Sequence, residues 1–285
     1  MINWPKSLVR EIARRRVVLF LGAGVSATST DSFGNRPKTW KNFLIEVCSL
    51  VHDTTDQSTI KKLIEDNQFL LALQAISEEA NTADYRDILN SNFNNPNFEP
   101  SDIHEIILAL DASIVITTNF DKIYERYCES TSTDGYKVVS YNDRDLGDLV
   151  RSDDRLIVKA HGSINNIGNM IFTKSQYHEA KKNYPQFYEL LKAIFLTHTC
   201  VFIGCGLDDP DVLLMLEDVK ITSSGDLPHY AVFLESEVNK FATRDWKKAY
   251  NIDALTYGPS YDGLKPNLEQ LLEKVEEFRS TKPLS

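Results

Sequence analysis

The spacing of apolar positions changes along the chain. Residues 7–16, SLVREIARRR, read as a short amphipathic helix. They lead into VVLFLGAGVS at 17–26. That apolar run is too short for a buried helix and stops at glycine, which predicts a buried parallel strand. A polar loop punctuated by glycine and proline follows, ATSTDSFGNRPKT. From Trp40 to about Asn92 apolar residues recur at i, i+3 and i+4, through WKNFLIEVCSLV, IKKLIEDNQFLLALQAI and DYRDILNSNF. SDIHEIILAL reads as a further helix with Ser101 as its N-cap. The region from about 38 to 110 is therefore expected to be a helical insertion after the first strand.

Beyond it the pattern becomes one of short strands: SIVITT, YKVVS, RLIVKA, CVFIG, HYAVFL and DALTY. Helical segments lie between and after them. These are DKIYERYCE, KSQYHEAKKNY continuing to FYELLKAIFLTH, DPDVLLMLEDV, SEVNKFATRDWKKAY and NLEQLLEKVEEF. Such alternation predicts an α/β fold with a doubly wound, mostly parallel, Rossmann-like sheet and helices on both faces. A single domain over residues 1–285 accommodates all of it. In folds of this kind a ligand lies at the carboxyl ends of the strands.

Composition narrows the class. A net charge of −10 leaves no cationic excess to neutralise phosphates. Direct binding of nucleic acid or of an anionic membrane is therefore not expected, and a bound phosphate should meet backbone N–H groups. The four cysteines, Cys48, Cys128, Cys200 and Cys205, contain no C-x-x-C pair, so neither a zinc ribbon nor a dithiol redox site is written here. Free thiols, an N-terminus without an apolar signal core, and no bilayer-length apolar run predict a cytoplasmic protein.

Four strand ends carry the candidate chemistry. In LGAGVSA, Gly22, Gly24 and Ala27 satisfy the G-x-G-x-x-A pattern, in which glycines let backbone approach a pyrophosphate. A tight strand-to-loop turn explains the same residues. The acidic residue that a dehydrogenase places about 20 residues on is replaced by a polar loop, which argues against hydride transfer. In IVITTNFD, Thr118 and Asp121 form a passable capping box, and Asn119 and Asp121 equally suit a ligand at a sheet end. In VKAHGSI, His161 is the one histidine placed where a ligand should lie. His52, His104, His178, His198 and His229 fall in or beside helical and strand patterns. In VFIGCGLDDPDV, Gly204 and Gly206 open a turn, and Asp208 or Asp209 caps a helix that starts with Pro210.

The order of these motifs resembles the sirtuin superfamily. GAGVS matches its first glycine loop, TTNFD its T-x-N-x-D motif and KAHGS its catalytic His-Gly. IGCGLDDPDV looks like the late glycine turn of its bacterial, non-deacetylase branch. The resemblance runs from about Val17 to Val232. The zinc ribbon of the deacetylases has no counterpart in SINNIGNMIFTKSQYH, so no zinc is expected.

The resemblance implies an NAD hydrolase of bacterial anti-phage defence that depletes cellular NAD. It also implies a stand-alone form that works as a homo-oligomer with a HerA-type hexameric ATPase. NAD would be the substrate. Gly22, Ala23 and Gly24 would hold its pyrophosphate, with Ser26, Thr118, Gly204, Gly206 and Asp208 as further contacts. Asn119 would orient water or ribose, and His161 would act as base. Asp121 would bind the carboxamide or stabilise developing positive charge, and residues 27–39 would form a lid. Two other readings are a non-catalytic NAD or ADP-ribose sensor and an NAD-dependent protein deacylase.

Overall fold

The computed structural model describes residues 1–94, 97–131, 135–207, 213, 216, 220 and 227–281. Seven strands form one sheet: β1 Val17–Leu21, β2 Ile114–Thr117, β3 Lys137–Ser140, β4 Leu156–Lys159, β5 Thr199–Ile203, β6 His229–Leu234 and β7 Ile252–Tyr257. Their order is β3-β4-β2-β1-β5-β6-β7, and every neighbouring pair is parallel. All six strand segments read from the sequence after residue 112 appear. The central strands are buried on both faces, as continuous Val/Ile/Leu/Phe runs require.

Helices cover both faces. Lys6–Ala13, Asp102–Ala109 and Leu264–Thr281 pack with Leu19, Val115 and Val201 on one side. Pro185–Thr197 packs with Phe20, Ile116 and Phe202 on the other. The fold is thus doubly wound. From β1 the chain goes on to β2 on one side of the sheet, and from β5 to β6 on the other. The carboxyl ends of the adjacent strands β1 and β5 therefore flank the crevice at which such sheets receive ligands.

Between β1 and β2 the chain forms Trp40–Cys48, Thr54–Glu65, Phe69–Glu79 and Thr82–Phe93 before Asp102–Ala109. Thr39, Asp53 and Asn81 cap the first, second and fourth of these by accepting N–H groups of the first turn. They bury a third apolar core of their own, with Phe43, Leu44, Ile64, Leu73 and Ile76 at its centre.

Two segments that read as continuous helices are broken. IKKLIEDNQFLLALQAI bends at Asn67, whose φ of 57° is left-handed. The second break falls at Tyr184, because Pro185 opens a new helix at its first position, where the missing N–H costs nothing. Most of the expected helix over DPDVLLMLEDV, with Asp208, Asp209 and Pro210, lies outside the described residues. Among the described residues no helix is long and apolar enough to cross a membrane.

Candidate active site

The turn after β1 and the turn after β5 lie backbone on backbone. Gly22 N–H donates to Ile203 O at 3.0 Å, and Gly24 N–H to Gly204 O at 2.9 Å. A Cβ on Gly22 would stand 2.3 Å from Gly204 O, and one on Gly24 would stand 2.8 Å from Gly204 Cα. Gly204 itself has a φ of +66°, and its Cβ would meet Val25 N at 2.5 Å. The glycines are therefore fixed by each other before any ligand is considered. This changes the expected role of two of them, because the N–H groups of Gly22 and Gly24 already donate within the protein. Ala23, first residue of the short helix Ala23–Ser26, has an N–H with no acceptor inside that helix.

β2 ends in the stretch whose capping and ligand readings stood side by side, and the cap is seen directly. Thr117 turns its hydroxyl to Leu21 O at 2.8 Å and accepts Asn119 N–H at 3.0 Å. Asp121 caps the helix Ile123–Thr131 by accepting Ile123 N–H at 3.0 Å on Oδ1. Its other oxygen accepts Ser26 Oγ–H at 2.8 Å. Asn119 Nδ2 donates to Gly22 O at 2.9 Å and to Ser26 Oγ at 3.0 Å. A carbonyl can only accept, so this pairing fixes the amide's orientation, with Nδ2 toward the glycine turn. Both amide hydrogens are engaged, which leaves Oδ1 as the atom the amide can present elsewhere. Between Asn119 and Asp121, Phe120 points the other way, into the core of the inserted helices.

β4 runs into His161, which is 9% exposed. Gly162 follows with a φ of +79°, and a Cβ there would lie 2.4 Å from Asn169 O, so only glycine fits this turn. The imidazole meets Tyr177, with Oη 3.2 Å from Nε2 and the rings edge to face.

These strand ends form the floor of a cavity of about 1200 Å³, and the inserted helices form its roof. Gly22, Ala23, Ser26, Thr118, Asn119, Asp121, His161, Gly204 and Gly206 all line it. Gly24 packs behind the turn and does not. Asp208 lies outside the described residues. Of the polar loop, Pro37 and Lys38 reach the lining.

The cavity also holds residues that sequence reasoning missed. Lys174, Tyr177, His178 and Lys181 line it from the helix Lys174–Asn183. Their i, i+3, i+4, i+7 spacing was the available signal. With Lys38, Lys122 and Arg126, the described lining carries five cationic side chains against one carboxylate, Asp121. An acidic chain thus gathers cationic side chains along one cavity, beside the backbone turns to which the sequence assigned a phosphate.

His104, on the helix Asp102–Ala109, is fully buried. Its Nδ1 accepts Ser101 N–H at 3.1 Å, and burial lowers its pKa to about 4. Three of the four thiols are buried, and Cys205 is half-buried on the cavity wall. Among the described residues no three His, Cys, Asp or Glu side chains gather as metal ligands.

Residues 113–255 match the model of the SIR2-like domain. The chain belongs to the SIR2-like family. The matched span starts at β2 and ends in β7, so it contains the TTNFD and KAHGS turns and excludes the inserted helices.

Several named relatives resemble the SIR2-like chain over longer spans. It is 27% identical to Defense-associated sirtuin 2 of Bacillus subtilis over 223 residues, which is 77% of this chain and 21% of that protein. It is 29% identical to NAD(+) hydrolase ThsA of Enterococcus faecium over 149 residues, 51% of this chain and 30% of that one. The ThsA of Cytobacillus dafuensis is 24% identical over 240 residues, 83% of this chain and 44% of its own. The chain thus spans less than half the length of each of these relatives.

Proposed function

We propose that this chain hydrolyses NAD at the nicotinamide–ribose bond, giving nicotinamide, ADP-ribose and a proton. The observation that carries the proposal is the meeting of an oriented Asn119 amide, buried His161 and the paired glycine turns on one cavity floor, at the crevice of a doubly wound sheet. The cationic lining suits the pyrophosphate, the aromatic roof suits planar rings, and the volume suits a dinucleotide. The relatives named NAD(+) hydrolase support the same reaction.

In this reading the bond breaks through an oxocarbenium-like state, as in glycoside hydrolysis. Nicotinamide leaves as a neutral molecule from a cationic ring, so no general acid is required. Asn119 Oδ1 holds the attacking water or the ribose hydroxyls. His161 accepts the water's proton as the new C–O bond forms, and Tyr177 holds the imidazole in place. Asp121 keeps Ser26 and Asn119 aligned. Ala23 N–H and the cationic side chains face the phosphates. Residues 27–39 close over the bound dinucleotide.

The activity belongs in bacterial anti-phage defence as NAD depletion in the cytoplasm. The chain works as a homo-oligomer with a HerA-type ATPase as partner. The name of the Bacillus relative supports the defence setting.

The test is nicotinamide release by the purified chain beside Asn119→Ala and His161→Ala, each alone and with a co-encoded ATPase. Both variants should fold as wild type and lose turnover by about 100-fold or more, the range for removing a general base or its partner. Wild-type rates in both variants would refute the site. NAD binding without turnover in any mixture would instead establish a sensor.

A further inference from the structure

Lys159 is the last residue of β4 and one of the most deeply buried side chains in the molecule, 1% exposed. Its ammonium makes an ion pair with Glu125 Oε1 at 2.5 Å, and that side chain is 7% exposed. It also donates to the backbone carbonyl of Asp121 at 2.6 Å. Burial pushes the Glu125 carboxyl up, while Lys159 works in the opposite direction. Buried ion pairs are poor stabilisers, since well-packed apolar side chains of the same volume usually do as well or better. A lysine buried at this strand end is therefore not explained by stability.

Its position explains it. Lys159 lies two residues before His161, on the strand paired directly with β2. Its partners lie on the β2 turn and on the first turn of the helix that follows. From Asp121 the contacts pass through Ser26 Oγ at 2.8 Å to Asn119 Nδ2 at 3.0 Å. One ammonium thus ties the strand that carries His161 to the turn that carries Asn119. Because an ammonium has three donors and no acceptor, it can clamp a carbonyl and a carboxylate at once, which an apolar side chain cannot.

We infer that Lys159, held by Glu125, is a positioning residue that sets the Asn119 amide relative to His161. The inference rests on the proposed hydrolase for its kinetic consequence and on geometry alone for its structural one.

The test is the apolar pair Lys159→Met/Glu125→Leu, since Lys159→Met alone would leave a buried carboxyl without its partner and serves only as a folding control. The double variant should melt within a few degrees of wild type. Its kcat should fall by about tenfold or more while KM for NAD moves by less than about threefold, as expected when reacting groups shift by a fraction of an ångström. The side-chain amide resonance of Asn119, assigned by its loss in Asn119→Ala, should move toward that of a solvent-exposed amide and exchange faster. A double variant with wild-type kcat and an unmoved amide resonance would overturn the inference. So would one that fails to fold, because the pair would then be serving stability. If the wild type itself released no nicotinamide, the hydrolase reading would fall, and the amide resonance would still decide the role of Lys159.

Discussion

The floor and the roof of the cavity are built by different physics. The floor is backbone packed on backbone with a chain of directed hydrogen bonds, Gly22 to Asn119 to Ser26 to Asp121, all within 3.0 Å. The roof is aromatic: Trp40, Phe43 and Phe93 pack among themselves and against Phe120 and Phe172, and the last two stack with centroids 4.1 Å apart. Directed bonds fail when one atom moves. Apolar packing tolerates exchange of similar volumes. In the proposed hydrolase, chemistry therefore belongs to the floor, and shape and exclusion of water to the roof. Phe120 joins the two, since it inserts into the roof core from between the two floor residues Asn119 and Asp121.

The hardest blow to the floor is Gly204→Ala. Left-handed backbone costs a non-glycine residue about 1–2 kcal/mol, and the contact with Val25 N adds to it. The variant should melt well below wild type and lose NAD turnover. Gly135→Ala is the matched control: its φ is +62°, but nothing lies within 4 Å of the added Cβ, so only the backbone cost applies. Equal melting shifts in the two variants would show that the glycine turns do not interlock.

Acid should weaken the fold from outside the cavity, through two buried histidines that line neither surface. His104 and His229 are both held near a pKa of about 4, chiefly by burial. The unfolded chain takes up their protons below about 6.5 and the folded chain does not, so stability falls as pH drops from about 6.5 toward 4, by up to about 3 kcal/mol per histidine. Melting temperature measured from pH 7 to 5 reads the first part of this loss. A profile unchanged in that range by His229→Asn would remove the histidine from the account.

In the roof, Phe43→Leu should cost about 1–2 kcal/mol of stability, raise KM more than it lowers kcat, and leave the Asn119 network intact. A collapse of kcat there would erase the distinction between the two surfaces. The smallest effect expected is on the cationic wall. Lys174→Ala or Lys181→Ala should raise KM for NAD by about two- to fivefold at low ionic strength, and the difference should shrink in high salt as screening shortens. Insensitivity of KM to both substitutions would confine phosphate binding to the glycine turns.

Much of this was legible along the chain. Runs such as VVLFL and IVIT could only be buried strands. GAGVS, TTNFD, KAHGS and IGCG stood after strands, where a parallel sheet exposes its ends, and their order pointed to one family. Ser101, read as an N-cap, does open the helix Asp102–Ala109, in a capping box with His104. These are local matters, settled within a few residues by sterics, periodicity and capping.

What only the tertiary structure decided involves partners far apart in sequence. Gly22 and Gly204 need each other because β1 and β5 are neighbours, which no local pattern states. The Asn119 amide is oriented by a carbonyl 97 residues away. Lys159 in RLIVKA reads as the polar end of a strand, and becomes a buried clamp only when the helix carrying Glu125 packs beneath it. Lys174 and Lys181 stay exposed, and only the fold decides that their helix faces the cavity. A sequence sets the conformation of each segment through contacts between near neighbours. Which surfaces then meet, and which charges lose their water, depends on the order of strands in the sheet and the face each helix covers.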